Sequence, residues 1–399
     1  MPKAVIFGAG NVGRGFLGQL FSESTYNVVF VDIDERLIRR MRSQGSYIIR
    51  LVDNQHTEEV EVGPVTGLLS GERKKVAKVL AEASLGAIAV GARALPHIAP
   101  LVAHGIDTRL RQGVDAPLNI IVCENLKGAS SIFCDMVAEH LDARAQEYMK
   151  NHVGFVSTVI ARMVPELPAG LCAQDPTLII TEPYKELPVD RSAFVGDIPE
   201  IVGMQPRDNF AFYTARKLYL HNMAHAILGY LGYRRGYEFG YEALRDTEVR
   251  PILDGALDES VQGLVARYDV AANRLREHVS DLLARCANRA LADPIQRLAR
   301  DPLRKLAPSD RLVGAARMAE AAGIEPLNLA WGIAGALAYD ASDDTIAVEL
   351  QERIAQNGAK VILKSVCEID PQESLGRAVL KRYHKLEKQT RWVRPALRS

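Results

Sequence analysis

Lys217, Asn222 and His225 stand at the spacing K-x-x-x-x-N-x-x-H in the second half of a 399-residue chain. The stretch 215–225 is rich in Ala and Leu and meets no Gly or Pro before Gly229, so a helix is expected. At about 100° per residue, Lys217, His225 and Asn222 lie near 0°, 80° and 140° and share one arc, with Leu220 and Ile227 on the other side. Polar residues in an apolar helix need partners or a purpose. Oxidising an alcohol needs a base for the hydroxyl proton and donors for an oxygen that gains negative charge. A lysine serves as that base when burial lowers its pKa toward neutrality. An asparagine amide polarises the carbonyl oxygen in the reverse direction. The same residues also read as a surface lysine beside a core His and Asn. His221 and His225 form H-x-x-x-H, a helical pair at metal-binding spacing. Asn222 takes the place of the glutamate in H-E-x-x-H and no third ligand is close in sequence, so no metal is expected.

A second chemical signal opens the chain. The run Ala4-Val5-Ile6-Phe7-Gly8-Ala9-Gly10-Asn11-Val12-Gly13 is a strand entering G-x-G-x-x-G. Gly8 permits the sharp turn, Gly10 lets a pyrophosphate approach the backbone, and Gly13 lets the helix pack on the sheet. The helix N-terminus offers unpaired N–H groups to the phosphates. Asp32 closes the next strand, nineteen residues past Gly13. A carboxylate there accepts from the adenosine ribose and repels a 2′-phosphate, favouring NAD over NADP. FAD uses the same turn, and Asp34 is a neighbour that can share the ribose role. The expected cofactor-binding set is Phe7, Gly8, Ala9, Gly10, Asn11, Val12, Gly13, Arg14, Asp32, Gly91 and Glu124.

The elements that must position these groups differ between the halves. Strand candidates Ala4–Phe7, Val28–Val31, Gly86–Val90 and Asn119–Val122 alternate with amphipathic stretches near 13–22, 35–43, 70–83 and 96–112, which predicts βαβ units. Residues 46–62 read as a hairpin-like insertion, and 153–159 and 178–181 as late strands extending the sheet. Residues 183–208 carry four prolines and read as loop or linker. From Asn209 the pattern is helical. The fold class is therefore an α/β N-terminal domain, with a mainly parallel sheet covered by helices on both faces, followed by a mainly α-helical C-terminal domain. The boundary falls at 195, giving domains 1–195 and 196–399.

Composition excludes several classes. Lys plus Arg equals Asp plus Glu at 49 each, so no whole-surface nucleic-acid footprint exists. Five scattered cysteines form no CxxC pair, which argues against a disulfide framework or thiolate zinc site. No apolar run approaches the ~20 residues of a membrane span. The start runs directly into a strand, without the pattern of a secretory signal. A cytoplasmic protein is expected.

The opening Phe7-Gly8-Ala9-Gly10-Asn11-Val12-Gly13-Arg14-Gly15-Phe16, the block Cys123-Glu124-Asn125-Leu126 and the Lys217/Asn222/His225 spacing together resemble the polyol-specific long-chain dehydrogenases of the mannitol dehydrogenase family. Val153–Val156, Glu182–Tyr184, Ala226–Gly232, Asp301–Leu306 and Asp310–Leu312 resemble its mannitol 1-phosphate-oxidising branch. The resemblance runs from residue 3 to about 387. It implies a Rossmann-type first domain, a helical second domain and an active site between them. It implies NAD-dependent, metal-independent interconversion of D-mannitol 1-phosphate and D-fructose 6-phosphate, by a monomer or homodimer whose partners are small sugar or polyol phosphates. Carried over, Lys217 is the general acid/base, Asn125 and Asn222 bind the substrate oxygen, and His225 orients substrate or lysine. Arg304, Lys305 and Arg311 form a basic cluster suited to a phosphate, unless they pair with Asp301 and Asp310. One position departs: Ile160-Ala161-Arg162-Met163-Val164-Pro165 has Ala161 where the family often has Asp. Unphosphorylated polyols and sugar acids thus stand as alternative substrates. A non-catalytic NAD-binding module would keep the glycine turn but would not need the lysine set.

Overall fold

The computed structural model describes residues 1–126, 128–165, 167 and 169–388. Among them the strands are β1 (Lys3–Phe7), β2 (Asn27–Asp32), β3 (Tyr47–Val52), β4 (Thr57–Val62), β5 (Val65–Leu69), β6 (Leu85–Ile88), β7 (Leu118–Val122), β8 (Val153–Ser157), β9 (Ile179–Thr181), β10 (Leu187–Asp190) and β11 (Met204–Arg207). Six form one sheet in the order β5-β2-β1-β6-β7-β8. Every pairing in it is parallel, with Ala4 beside Val28 and Leu85.

Side chains on β1 alternate between two cores, as the period of a strand requires. Ala4 and Ile6 join Phe16, Leu17, Leu20, Phe30 and Met41. Val5 and Phe7 join Val76, Leu80, Leu95, Ile98 and Phe133 on the other face. Burial on both faces explains why these strands read as near-continuous apolar runs.

The insertion is an antiparallel β3–β4 hairpin. The expected strand near 178–181 does not extend the main sheet. As β9 it pairs in parallel with β3, forming a second sheet β4-β3-β9. The stretch expected to be a linker is folded: β10 and β11 pair in parallel, and Val189 bridges back to Thr158 after β8. The chain accordingly divides into Met1–Tyr213 and Thr214–Ser399, later than residue 195. Beyond β11 the regular elements of the described residues are helical.

One helical run carries the polar motif: Phe210–Arg216, a wide π turn Lys217–Asn222, then Met223–Arg235, with the π turn and everything after it in the second unit. The last of these is buried from Met223 to Arg234 except at His225. Its all-round apolar surface suits a central helix. Gly236, at φ 81°, caps it in the left-handed region. At Gly229 a Cβ would lie 2.7 Å from the Leu298 carbonyl carbon, so glycine lets the segment before Asp301 lie flat on this helix.

Candidate active site

In the first unit the glycine turn forms at the C-terminal edge of the sheet, where open parallel sheets receive ligands. Gly8 sits at φ 97°, and a Cβ there would lie 2.3 Å from the Ala89 carbonyl oxygen. A Cβ on Gly13 would lie 1.9 Å from the Gly8 carbonyl oxygen. Gly10 is different: it is exposed, and a Cβ would meet nothing within 4 Å. Its backbone is open to approach, which fits a cofactor pyrophosphate.

Asp32 faces the turn. Its carboxylate accepts from the Ala9 N–H at 2.6 Å, from Ile33 at 2.7 Å and from Asp34 at 3.0 Å. Each carboxylate oxygen has two lone pairs, so acceptor capacity remains for ribose hydroxyls. Asp34 is occupied differently, capping helix Glu35–Gln44 through the Leu37 N–H at 3.0 Å. Glu124 accepts from the N–H groups of Val90 and Gly91, both at 2.9 Å. Burial raises its pKa, against these two bonds. Burial first, and Glu124 second, push the Cys123 thiol well above its usual range, so it stays protonated. Asn125, next in sequence, is exposed.

Arg14 is not open to a ligand in the way its place in the motif suggests. It is buried, and Nη1 donates to the carbonyls of Pro176 and Thr177 at 2.9 and 2.7 Å, while Nε donates to that of Ala9. It braces the turn from behind. A second buried arginine does similar work that the sequence reading missed. Arg162 donates to the carbonyls of Glu182 (2.7 Å) and Gly15 (3.0 Å) and to Oε1 of Gln19 (2.7 Å). The Glu182 carboxylate accepts from the Met163 N–H at 2.6 Å. Asn11 reaches the Val164 and Pro165 carbonyls at 3.4 Å. The segment around Ala161, where the family pattern breaks, therefore supports the turn, and Ala161 is itself buried.

In the second unit the π turn holds Lys217 and Asn222 on one wide loop of helix. Such turns use i→i+5 bonds and frequently mark functional sites. Lys217 is half-buried, and its pKa falls to about 7. Burial is the main cause; Arg311 and, more weakly, Arg304 add to it, and Asp310 opposes. Asn222 is buried, and its Nδ2 has no partner among the described residues. An unpaired buried donor costs about 1–3 kcal/mol, which a substrate oxygen would relieve. His225 is half-buried and its ring meets that of His221 edge-on at 4.4 Å. Burial drives both pKa values well below the usual range. Arg285 and Lys217 add to this for both, and Arg297 and Arg311 for His225. Both imidazoles are thus neutral near pH 7. Partial burial first, and then Arg216 and Arg285, push the half-buried His278 down to about 3. His278 and Arg285 lie seven residues apart on helix Ala272–Cys286, so their shared face was readable in the sequence. Among the described residues no three His, Cys, Asp or Glu side chains are arranged to hold a metal.

The basic segment is only partly what its composition suggests. Arg304 pairs with Asp301 at 2.6 Å and reaches Asp310 at 3.7 Å. Arg311 donates its Nε to Asp310 at 2.7 Å. Lys305 is buried over the Tyr230 ring, 5.4 Å from its centroid, with Nζ donating to the Leu298 carbonyl. It faces the protein interior, not an open anion site.

Two family descriptions match the chain: the mannitol dehydrogenase Rossmann domain over residues 2–203 and the mannitol dehydrogenase C-terminal domain over 209–386. The mannitol-1-phosphate 5-dehydrogenase of Bacillus licheniformis is 36% identical over 378 residues, covering 94% of this chain and 98% of the relative. The Bacillus subtilis protein of that name is 36% identical over 380 residues, covering 95% and 99%. Two solved structures share the fold. A substrate-free D-sorbitol dehydrogenase superposes with a TM-score of 0.81 at 16% identity, over 98% of this chain and 94% of that one. Pseudomonas fluorescens mannitol 2-dehydrogenase, in a ternary complex with NAD and D-mannitol, gives 0.74 at 18% identity, over 98% and 92%. The chain belongs to the mannitol dehydrogenase family and is a dehydrogenase.

Proposed function

We propose that the protein interconverts D-mannitol 1-phosphate and D-fructose 6-phosphate with NAD(H) and without a metal, acting on these small molecules in the cytoplasm as a monomer or homodimer. The observation that carries the chemistry is Lys217, held near pKa 7 beside the unpaired Asn222 amide. A proton-transfer group works best when its pKa is close to the working pH. The substrate comes from the names of the relatives, which align over nearly the whole chain.

Bound in the glycine turn, the nicotinamide cofactor supplies or accepts the hydride. This chain's residues do the rest. In the reducing direction the Lys217 ammonium gives its proton to the substrate carbonyl oxygen as that oxygen gains electrons. Asn222 donates to the same oxygen, which favours the charge-bearing state over the ground state, and Asn125 is read as a further substrate-binding residue. Neutral His225 orients the substrate or the lysine. In the oxidising direction neutral Lys217 takes the hydroxyl proton. The Glu124 carboxylate fixes the backbone of Val90 and Gly91 at the sheet edge, and Arg14 and Arg162 keep the turn in shape.

A panel of fructose, fructose 6-phosphate and the sugar acid tagaturonate, run with NADH or NADPH in the presence of EDTA, tests this reading. Fructose 6-phosphate with NADH should be the best pair, and EDTA should have no effect. Equal use of fructose or tagaturonate would remove the phosphate from the assignment. The pairing of Arg304 and Arg311 with Asp301 and Asp310 favours that second reading, an unphosphorylated polyol or sugar acid, because it neutralises part of the cluster. Asp32→Ala should narrow the NADH-over-NADPH preference, because the carboxylate that opposes a 2′-phosphate is gone. An unchanged ratio of kcat/KM for the two cofactors would move the ribose role to Asp34.

A further inference from the structure

The three cations of the basic segment differ in what they have left to offer a ligand. Lys305 is 3% exposed and gives its Nζ to the Leu298 carbonyl beneath Tyr230. Arg304 is more exposed and shared between two carboxylates. Arg311 is 6% exposed, and its Nε donates to Asp310. Its Nη2 is buried without a partner among the described residues.

Packing places Arg311 beside the catalytic turn. Three residues on, Gly314 lies so close to Tyr219 that a Cβ would be 2.8 Å from the ring and from its hydroxyl. Tyr219 is two residues from Lys217. The next residue, Leu312, shares a contact with Ile227 of the same helix: a Cβ on Gly332 would lie 2.8 Å from Leu312 and 2.9 Å from Ile227. The charge of Arg311 is accordingly felt at Lys217 and at His225.

We propose that Arg311 is the specificity-determining residue that receives the phosphate of the substrate, with Asp310 as the positioning residue that turns its free N–H inward. Lys305 is a packing group, and Arg304 is a surface cation screened by its acids. The proposal rests on the phosphorylated-substrate reading above and deepens it. A buried guanidinium with its Nη2 unfilled matches phosphate geometry better than a lysine pointed at a carbonyl. Its fixed orientation also lets phosphate binding far from the reacting carbon be used in the chemical step.

The test compares kcat/KM for fructose 6-phosphate with that for fructose in the full chain and in Arg311→Gln, Arg311→Lys and Lys305→Met, with inorganic phosphate as a competing probe. Arg311→Gln should lower the ratio at least roughly 30-fold, the scale for removing one partner of a buried charge pair. It should also abolish competition by inorganic phosphate. Arg311→Lys keeps the charge but not the fork and should fall between. Lys305→Met should change stability more than the ratio. If a folded Arg311→Gln protein, judged by its melting transition and its NADH affinity, keeps the full ratio, the proposal is overturned while the phosphorylated-substrate reading stands. If Arg311→Gln does not fold, Arg311→Lys decides, and an unchanged ratio in it overturns the proposal. If the unmodified protein itself does not distinguish fructose 6-phosphate from fructose, the substrate reading falls and Arg311 loses its ligand with it. A carboxylate shares this chemistry: tagaturonate preferred over both ketoses, with that preference lost in Arg311→Gln, would overturn the phosphate and assign the arginine to a sugar acid.

Discussion

Replacing Lys217 by alanine should lower kcat by at least ~10²-fold in both directions, the usual scale for a general acid–base group. Lys217→Met is the cleaner version, because it keeps most of the buried stem while removing the amine. NADH affinity should survive in either variant, since the glycine turn, Asp32 and Glu124 all belong to the first unit. Small primary amines added to Lys217→Ala should restore part of the rate, and more so when their own pKa is near the working pH. Turnover at the normal rate in a folded Lys217→Met protein would make the lysine a bystander and leave the neutral His225 as the next proton acceptor.

The glycine turn supplies the second large effect, through a pair of substitutions with opposite signatures. Gly13→Ala would put a Cβ 1.9 Å from the Gly8 carbonyl oxygen, backbone against backbone, with no side chain able to swing away. Overpacking of this kind should cost about 3 kcal/mol or more of a total near 5–15 kcal/mol. Thermal or urea unfolding would register it. Gly10→Ala meets no protein atom within 4 Å. Its stability should stay within about 0.5 kcal/mol of the parent, as for open surface sites. Its NADH affinity should nonetheless fall about tenfold or more, because the new methyl takes space that the pyrophosphate needs. Titration by NADH fluorescence separates the two. Normal NADH binding by Gly10→Ala would mean that the cofactor does not cross the turn at this point.

Much of this was legible in the residues. The strand-turn-helix with Asp32 at its second strand, the hairpin at 46–62 and the Lys217/Asn222/His225 helix each follow from local pattern. The omissions have physical causes. β5 follows Gly63-Pro64 and contains Gly67, which reads as turn chemistry; in the fold, Gly67 is small because Ile38 lies 2.7 Å from where its Cβ would be. The partner of β9 is a tertiary choice that no local periodicity encodes. The π turns at 13–18 and 217–222 are equally silent, since i→i+5 bonding leaves no propensity signal. The 215–225 stretch is helical as expected, but the wide turn changes the arc that regular spacing assigns to its polar groups. Arg304, Lys305 and Arg311 look alike in sequence. Only packing reveals that one is shared between acids, one is turned inward and one keeps a free N–H.

The pH dependence of the two reaction directions tests the role of Lys217 most directly. Burial, Arg311 and Arg304 lower its pKa to about 7, against Asp310. The neutral amine is the base for oxidation, so kcat/KM for the polyol should rise with pH through about 7. The ammonium is the acid for reduction, so kcat/KM for the ketose should fall through the same value. Opposite slopes with one shared midpoint, both lost from the residual activity of Lys217→Met, are the expected result. Flat profiles between about pH 6 and 8, where a group of this pKa must titrate, or slopes of the same sign in both directions, would contradict Lys217 as the proton carrier.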